Sequence, residues 1–241
     1  MKTIAFFSSK GGSGKSTGAM GLASTLAYHY GKRVLMISTD PQHTPLKVRN
    51  EEIMEIESLL DSEDPLDKEK GKELNAQLAN AYDIIDTDSD DVLTNLFPAR
   101  KEMATQDHVD YLIVDTIGTL QANVINTMKE SDLVLVPVKL ARPDLSEFFS
   151  DISAVVRESI LNEGTKSMWY PSEYDKRTSE YREFFRDVSD FEESSGIPCM
   201  LPGLVARQDL KRISTVSFPD EESKVREVLI EFTDTVINQT K

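Results

Sequence analysis

Eight consecutive residues near the N-terminus have the types and the spacing needed to hold a phosphate chain. They are Lys10, Gly11, Gly12, Ser13, Gly14, Lys15, Ser16 and Thr17. Glycines allow a backbone to curl until successive N–H groups point at one anion, and a helix that follows adds its positive N-terminal end. Lys15 supplies a cation for the β- and γ-phosphates, Ser16 can place its hydroxyl on Mg²⁺, and Thr17 can bond an α-phosphate oxygen. The segment therefore predicts a site for a nucleoside triphosphate with magnesium.

The segments on either side of this loop support the same interpretation. An apolar strand, Lys2–Ser8, leads into the loop, and a helical pattern of apolar residues three and four apart follows it. Gly31 is placed to end that helix, and a second apolar strand, Arg33–Ser38, comes next. The whole unit is about 35 residues long, which is the length of a strand–helix–strand crossover.

Strands and helices go on alternating to the end of the chain. Further predicted strands are Tyr82–Ile85, Tyr111–Val114, Leu133–Val138, residues 165–171 and the proline-interrupted stretch Ile197–Ala206. Further predicted helices are Val92–Met103, Leu120–Lys129, a helix starting at Pro143, Lys176–Phe191 and Glu221–Asn238. Several strands are continuously apolar, as strands buried on both faces are. The pattern predicts an α/β fold with a doubly wound, mainly parallel sheet and helices on both faces, in a single domain over 1–241.

An acid follows the predicted strand Tyr111–Val114 directly, at Asp115. Ligands of open parallel sheets bind at the carboxyl ends of the strands, so this position delivers a carboxylate to the phosphate end of the sheet. Asp115 is therefore a candidate ligand of Mg²⁺, either directly or through a water molecule.

The phosphate loop resembles that of the deviant-Walker-A ATPases of the ParA/MinD type. The hallmark of these ATPases is a second lysine at the start of the loop, which Lys10 matches, and Ser9 stands where an ordinary Walker A loop has glycine. In the family this lysine crosses a dimer and touches the ATP of the partner. The resemblance implies the P-loop NTPase fold, ATP and Mg²⁺ as cofactors, and a homodimer with ATP sandwiched between its protomers.

Three later stretches carry the same resemblance. The family has an acid before Pro-Gln that helps to position the attacking water near Mg²⁺, and Asp40 occupies that place, which makes it a catalytic and metal-site candidate beside Lys10 and Lys15. Family members commonly carry another acid two residues earlier, where this chain has Ser38. The strand ending at Asp115 matches the Walker B strand. The segment at Pro143 and Asp144 borders the adenine in the family, so both residues are candidate base contacts.

The resemblance is closest to the small partition and DNA-transfer accessory ATPases. It implies an ATP-dependent switch that hydrolyses ATP slowly, is stimulated by a partner protein, and partitions or positions DNA or another cargo. The Ser-Thr-Asp-Pro run at 38–41 is nearer to the arsenite-pump and protein-targeting branch, and a metabolic synthetase on the same fold also stays open. The closing helix, Glu221–Asn238, lacks the basic amphipathic character of a membrane anchor, so no membrane binding is expected.

The charge of the chain bears on its partners. Among 241 residues there are 27 Lys and Arg against 42 Asp and Glu, a formal net charge of −15. This acidity argues against a general nucleic-acid coat, although it leaves room for a local basic patch. The best candidate for DNA contacts is the cluster of Arg207, Lys211 and Arg212.

Two other features complete the sequence analysis. Residues 50–75 include ten acids and predict an acidic, solvated surface helix and loop, or else a partner-binding insertion. Cys199 is the only cysteine, which excludes an intrachain disulfide and, with no apparent signal peptide, suits a cytoplasmic protein.

Overall fold

A computed structural model describes most of the chain, and all structural statements below concern its described residues. These are 1–86, 101–102, 104–119, 121–139, 165–175, 177–205, 210 and 213–241. The predicted helix at 92–103 lies almost wholly outside them, as does the helix predicted to start at Pro143. No helix in the described part is long and apolar enough to cross a membrane.

The strands and helices follow one another in the predicted alternation. The strands are β1 Lys2–Phe6, β2 Val34–Ser38, β3 Asp83–Asp86, β4 Tyr111–Asp115, β5 Leu133–Lys139, β6 Lys166–Tyr174 and β7 Leu204–Val205. The helices are α1 Lys15–Ser24, α2 Thr44–Asp61, α3 Pro65–Leu78, α4 Ala122–Lys129, α5 Ser179–Ser195 and α6 Lys224–Gln239. A π-helical turn, Thr25–His29, extends α1.

The seven strands form one sheet in the order β3-β2-β4-β1-β5-β6-β7, and every pairing in it is parallel. One face packs under α1 and α6 in a core that includes Leu22 and Phe232. The other face packs under α4 and α5 in a core that includes Met128 and Phe184. The doubly wound α/β fold is thus confirmed. Because β1 lies at the centre of the sheet, the loop that follows it emerges at the middle of the carboxyl edge.

The acidic segment 50–75 is a helical hairpin, so the prediction of one helix and a loop was wrong. Asp64 caps α3 by accepting the N–H of Leu66 at 2.8 Å, and the adjacent proline occupies the first turn. Gly71 lets the two helices approach closely, since a Cβ there would lie 3.0 Å from the Cβ of Leu59. The polar residues at 62–64 form only a short turn, because the cap at Asp64 starts α3 at once.

The stretch Ile197–Ala206 is less of a strand than expected. Among its described residues, 197–205, only Leu204–Val205 pairs as a strand, with an isolated parallel bridge between Cys199 and Trp169. Two prolines in this stretch lack the N–H that a ladder needs. Gly203 is required for the approach to β6, because a Cβ there would overlap the carbonyl oxygen of Pro171.

A buried polar cluster fixes α2, the helix that follows Asp40 in the chain. Arg49 donates to the hydroxyl and the carbonyl of Thr215, at 2.7 and 2.8 Å, and to the carbonyl of Tyr82 at 3.0 Å. Glu52 accepts the N–H and the hydroxyl of Thr215 from the other side, at 3.0 and 2.5 Å. Since Thr215 is fully buried, these bonds replace its hydration and tie α2 to the loop before α6.

Replacing Arg49 with alanine is expected to lower the free energy of unfolding by about 2 kcal/mol, because buried acceptors on Thr215 and Tyr82 lose their donors. Urea denaturation measures the loss. The matched control is Arg177→Ala, since the Arg177 side chain is 89% exposed and its ion pair with Asp175 lies in solvent. The control should show no measurable change; equal losses in the two variants would contradict a specific role for the cluster.

Candidate nucleotide site

The phosphate loop has the backbone that its glycines predict. Gly12 and Gly14 have φ of +70° and +96°, values that L side chains rarely adopt. Gly14 is also the N-cap of α1, and its carbonyl accepts the N–H of Gly18 at 2.9 Å. The helix begins at Lys15, so its positive N-terminal end faces the loop.

The loop forms one wall of a cleft of about 430 Å³. The cleft is lined by Ser9, Gly11, Gly12, Ser13, Gly14, Lys15, Ser16, Thr17, Asp40, Gln42, Thr44, Gly118 and Thr119. The structure therefore brings the predicted loop and the distant Asp40 to one site, together with the turn that follows β4. The volume lies within the range of small-molecule sites, roughly 300–1,000 Å³.

Lys15 is the cation of this cleft. Its side chain is only 6% exposed although no acidic residue occupies the first turn of α1. A lysine so placed adds its charge to the loop amides, which suits a polyanion. The hydroxyl of Ser13 is buried beside it with no hydrogen-bond partner in the described part of the chain. This set of donors fits the phosphates of a nucleotide.

Lys10 lies apart from this donor set. It is half-buried and is not one of the cleft-lining residues in the described structure. Its backbone N–H donates to the hydroxyl of Ser8 at 3.3 Å, which holds the start of the loop.

Asp40 reaches the cleft from the turn between β2 and α2. Its Oδ1 accepts the N–H of Gln42 at 2.9 Å, and its carbonyl accepts the N–H of His43 at 2.8 Å. His43 has a φ of +51°, so the chain turns sharply before α2 begins. The carboxylate is thus held at the cleft by its own turn, in a position to orient a water molecule or a metal ion.

Asp115 ends β4 at the carboxyl edge of the sheet and is fully buried. It pairs in register with Phe6 of β1 and Ser38 of β2, so three strand ends meet here. The Thr39 N–H donates to the carbonyl of Asp115 at 2.9 Å, and the Thr116 hydroxyl donates to the carbonyl of Phe6 at 2.7 Å. These two bonds join the ends of β1, β2 and β4 at Asp115.

Among the described residues, no group of three or more His, Cys, Asp or Glu side chains is arranged to hold a metal ion. Mg²⁺ does not need one, because it keeps several waters and takes ligands from phosphates. Ser16 and Asp40 line the cleft and are its candidate protein ligands. Asp115, at the carboxyl end of β4, is a candidate to act through water. Together they form an oxygen donor set that fits Mg²⁺.

The turn after β4 lies directly against the phosphate loop. A Cβ on Gly118 would lie 3.0 Å from the carbonyl oxygen of Ser8 and 3.2 Å from that of Ser9. Glycine allows this approach, which places Thr119 on the cleft wall. The turn is thus in contact with the backbone that leads into the phosphate loop.

Two residues of β6 belong to the site although no sequence motif marks them. The hydroxyl of Ser172 donates to the carbonyl oxygen of Ser13 at 2.6 Å. The ring of Tyr170 lies under α1, where a Cβ on Gly18 would overlap its hydroxyl. Burial raises the pKa of Tyr170 well above its usual range, and the charge of Asp115 adds to the effect, so the hydroxyl stays neutral. Only the pairing of β5 with β6 places these residues at the loop.

Replacing Gly18 with alanine is expected to lower the free energy of unfolding by about 1–3 kcal/mol, because the added methyl overlaps the Tyr170 hydroxyl. Tyr170→Phe alone should be close to neutral, since that hydroxyl has no hydrogen-bond partner among the described residues. Combining the two changes should recover most of the loss. Thermal or urea unfolding of all four proteins gives the coupling energy, and strictly additive effects would contradict the steric explanation.

Five predicted site residues lie outside the described residues, and the structure assigns them no place. They are the candidate base contacts Pro143 and Asp144 and the candidate DNA contacts Arg207, Lys211 and Arg212.

Comparison with known proteins agrees with this geometry. Residues 1–163 match the model of the AAA_31 family, described as an AAA domain. The chain is 32% identical over 152 residues to the sporulation initiation inhibitor protein Soj of Bacillus subtilis, covering 57% of this chain. It is 27% identical over 168 residues to the maintenance of carboxysome distribution protein A of Synechococcus elongatus, covering 66% of this chain. The chain spans 58% and 66% of the lengths of these two relatives.

Two solved structures share the fold over nearly the whole chain. A plasmid partition protein of Borrelia burgdorferi, bound to AMPPNP, superposes with a TM-score of 0.65 at 19% identity and covers 99% of both chains. Cobyrinic acid a,c-diamide synthase of Mycobacterium smegmatis, with a bound ATP analogue and magnesium, has a TM-score of 0.66 at 22% identity and covers 100% of this chain and 96% of its own. The chain belongs to the AAA_31 family, within the ParA/MinD superfamily of P-loop ATPases.

Proposed function

We propose that this chain is an Mg-ATP-dependent switch that dimerises around ATP and hydrolyses it slowly to position a cargo. The observation that carries the proposal is the joint lining of one cleft by the phosphate loop, Lys15 and Asp40. Phosphoryl transfer needs little more from a protein than positioning and charge neutralisation, and these residues provide both.

Each residue of the cleft has a distinct part in this proposal. The loop amides and Lys15 bind the phosphates, and Ser16 with Asp40 would hold Mg²⁺, with Asp115 acting through water. The bound ion would neutralise charge that builds up on the phosphate oxygens. Asp40 orients the attacking water, because its turn holds the carboxylate at the cleft.

The position of Lys10 supports dimerisation. A lysine that served its own nucleotide would line the cleft, as Lys15 does, whereas Lys10 does not do so in the described structure. A half-buried lysine at the start of the loop, outside the lining of its own cleft, suits contact with a nucleotide held by a second protomer.

The names of the relatives support cargo positioning. One is a carboxysome distribution protein, and a structural neighbour is a plasmid partition protein. If the cargo is moved along DNA, the protein needs a local cationic surface for the DNA phosphates despite its net charge of −15. The cluster of Arg207, Lys211 and Arg212 is the proposed surface, and a stimulating partner protein completes the cycle.

A second candidate is an ATP-dependent synthetase that forms an amide from a carboxylate. It is favoured by the likeness to cobyrinic acid a,c-diamide synthase. The TM-score for that enzyme is 0.66, and the TM-score for the partition protein is 0.65. The fold therefore does not separate the two functions, and an assay of assembly and turnover must do so.

The test measures mass by light scattering and DNA binding at near-physiological salt, with ATP and with ADP. The switch predicts a dimer and DNA binding with ATP only, both lost in Lys10→Ala. The control is Lys32→Ala, which should behave as wild type. Lys32 is an exposed lysine just before β2, at the edge of the sheet opposite to the phosphate loop. The synthetase would replace the switch if two results were found together. The oligomeric state would be the same with and without ATP, and ATP turnover would require a carboxylic acid and an ammonia source.

A further inference from the structure

The hydroxyl of Ser172 contacts the phosphate loop from beneath. Ser172 is 1% exposed, and its hydroxyl donates to the carbonyl oxygen of Ser13 at 2.6 Å. The two residues are 159 positions apart in the chain. Since the order of strands is β1-β5-β6, this bond reaches from the second strand beyond β1 back to the loop that follows β1.

The local structure of β6 places Ser172 at this point. Met168 and Tyr170 lie in the core under α1, whereas Trp169 lies in the core on the opposite face, as the alternation of a strand requires. The register shifts between Ser172 and Tyr174, and Tyr174 packs with the opposite core. Ser172 is thus the last residue of β6 on the α1 face before the irregularity, at the carboxyl end where the loop lies.

The bond has a consequence for the next N–H group of the loop. Ser13 and Gly14 share a planar trans peptide unit, in which the carbonyl and the N–H point in opposite directions. With the carbonyl of Ser13 directed at Ser172, the N–H of Gly14 points away from Ser172. Gly14 lines the cleft and contacts Ser172 closely, since a Cβ on Gly14 would lie 3.6 Å from the Cβ of Ser172.

A restraint of this kind is needed on physical grounds. Several N–H dipoles that converge on one point repel one another when no anion is present, so the loop gains by turning some of them away. Gly14 is the residue best able to do so, because glycine has the widest backbone freedom and its φ is already +96°. A hydrogen bond to the reverse side of its peptide unit opposes that rotation.

We infer that Ser172 is a positioning residue of the nucleotide site, which holds the Ser13–Gly14 peptide so that the Gly14 N–H faces the phosphates. This inference rests on the proposed binding of a nucleotide. It assigns to β6 a part in phosphate binding that the loop motif does not contain. Ser172 acts through the backbone and does not itself touch the ligand.

The experiment compares Ser172→Ala with Ser167→Ala by calorimetric titration of ATP and ADP. Ser167 is a matched control, because its buried hydroxyl is on the same strand and has no hydrogen-bond partner in the described structure. Ser172→Ala should weaken both nucleotides about five- to tenfold, the equivalent of about one hydrogen bond. Ser167→Ala should bind as wild type does, and Ser172→Thr, which keeps the hydroxyl, should restore most of the affinity.

The amide resonance of Gly14 gives a second readout that a general loss of stability would not move. ADP should shift this resonance in wild type and in Ser167→Ala, and clearly less in Ser172→Ala. If the alanine variant does not fold, Ser172→Cys fills the same space with a weaker donor and should weaken binding in the same direction.

Two outcomes would overturn the inference in different ways. If the wild type binds nucleotide and Ser172→Ala binds it with the same affinity within twofold, the role of Ser172 is rejected and the proposed function is not. Wild type that binds neither ATP nor ADP would reject the proposed function, and the positioning role with it.

Discussion

Replacing Lys15 with alanine is expected to weaken the binding of ATP and ADP at least a hundredfold. Lys15 is 6% exposed at the first residue of α1, in a cleft lined otherwise by glycine backbone, hydroxyl groups, Asp40 and Gln42. The variant therefore loses the one buried cation that faces the phosphates within the described cleft. Hydrogen bonds to charged groups contribute about 1.5–3 kcal/mol each, so the loss of one or two accounts for the effect.

Calorimetric titration measures this loss, and two lysine variants serve as controls. Lys32→Ala removes an exposed lysine and should bind as wild type does. Lys10→Ala should bind nucleotide with the affinity of the wild-type monomer, because Lys10 is not among the residues that line the cleft in the described structure. Lys15→Arg is not a rescue, since the planar guanidinium does not replace a compact ammonium at a closely packed loop. A Lys15→Ala protein that binds ATP within fivefold of wild type would contradict the assignment.

Replacing Asp40 with alanine is expected to leave ATP binding within about threefold while slowing hydrolysis at least a hundredfold, a typical contribution of acid–base or water-positioning groups. The affinity survives because Lys15 and the loop amides hold the phosphates. The ATP-bound dimer should then accumulate, since the step that dissolves it is blocked. Single-turnover hydrolysis and light scattering with ATP measure the two effects.

Asparagine at position 40 separates chemistry from structure. In the wild-type protein the Asp40 carboxylate accepts the N–H of Gln42 at 2.9 Å. Asp40→Asn keeps an acceptor for this N–H and so preserves the turn. It removes the charge and the basicity. If Asp40→Asn hydrolyses ATP as wild type does while Asp40→Ala does not, then Asp40 only shapes the turn. An Asp40→Ala protein that remains monomeric with ATP would contradict the switch.

The local chemistry of the site could be predicted from the sequence. Glycines at 11, 12 and 14 and the lysine at 15 define a phosphate loop by residue type alone, since they specify backbone freedom and charge within one turn. The apolar run that precedes Asp115 indicates a buried strand that ends in an acid, whereas Asp40 is a candidate only through the family resemblance. Because the carboxyl ends of parallel strands share one edge, this signal also predicts that Asp115 lies at the edge where the loop emerges. Asp40 lines one cleft with the loop in the structure.

Contacts between distant segments could not be predicted in this way. The bond from Ser172 to Ser13 depends on the order of three strands and on an irregularity in β6. The fit of Gly18 over Tyr170 and the binding of Thr215 between Arg49 and Glu52 depend likewise on how helices cross the sheet.

There is a physical reason why the sequence predicts the loop chemistry but not the contacts between distant segments. Loop conformation, strand burial and the charge of Lys15 depend on residues adjacent in the chain, so residue types determined the phosphate loop, the acid at the end of β4 and the α/β class. A hydroxyl such as that of Ser172 has no preferred partner until a surrounding structure excludes water and brings an acceptor within about 3 Å. The tertiary structure alone therefore decided which polar groups hold the loop in place.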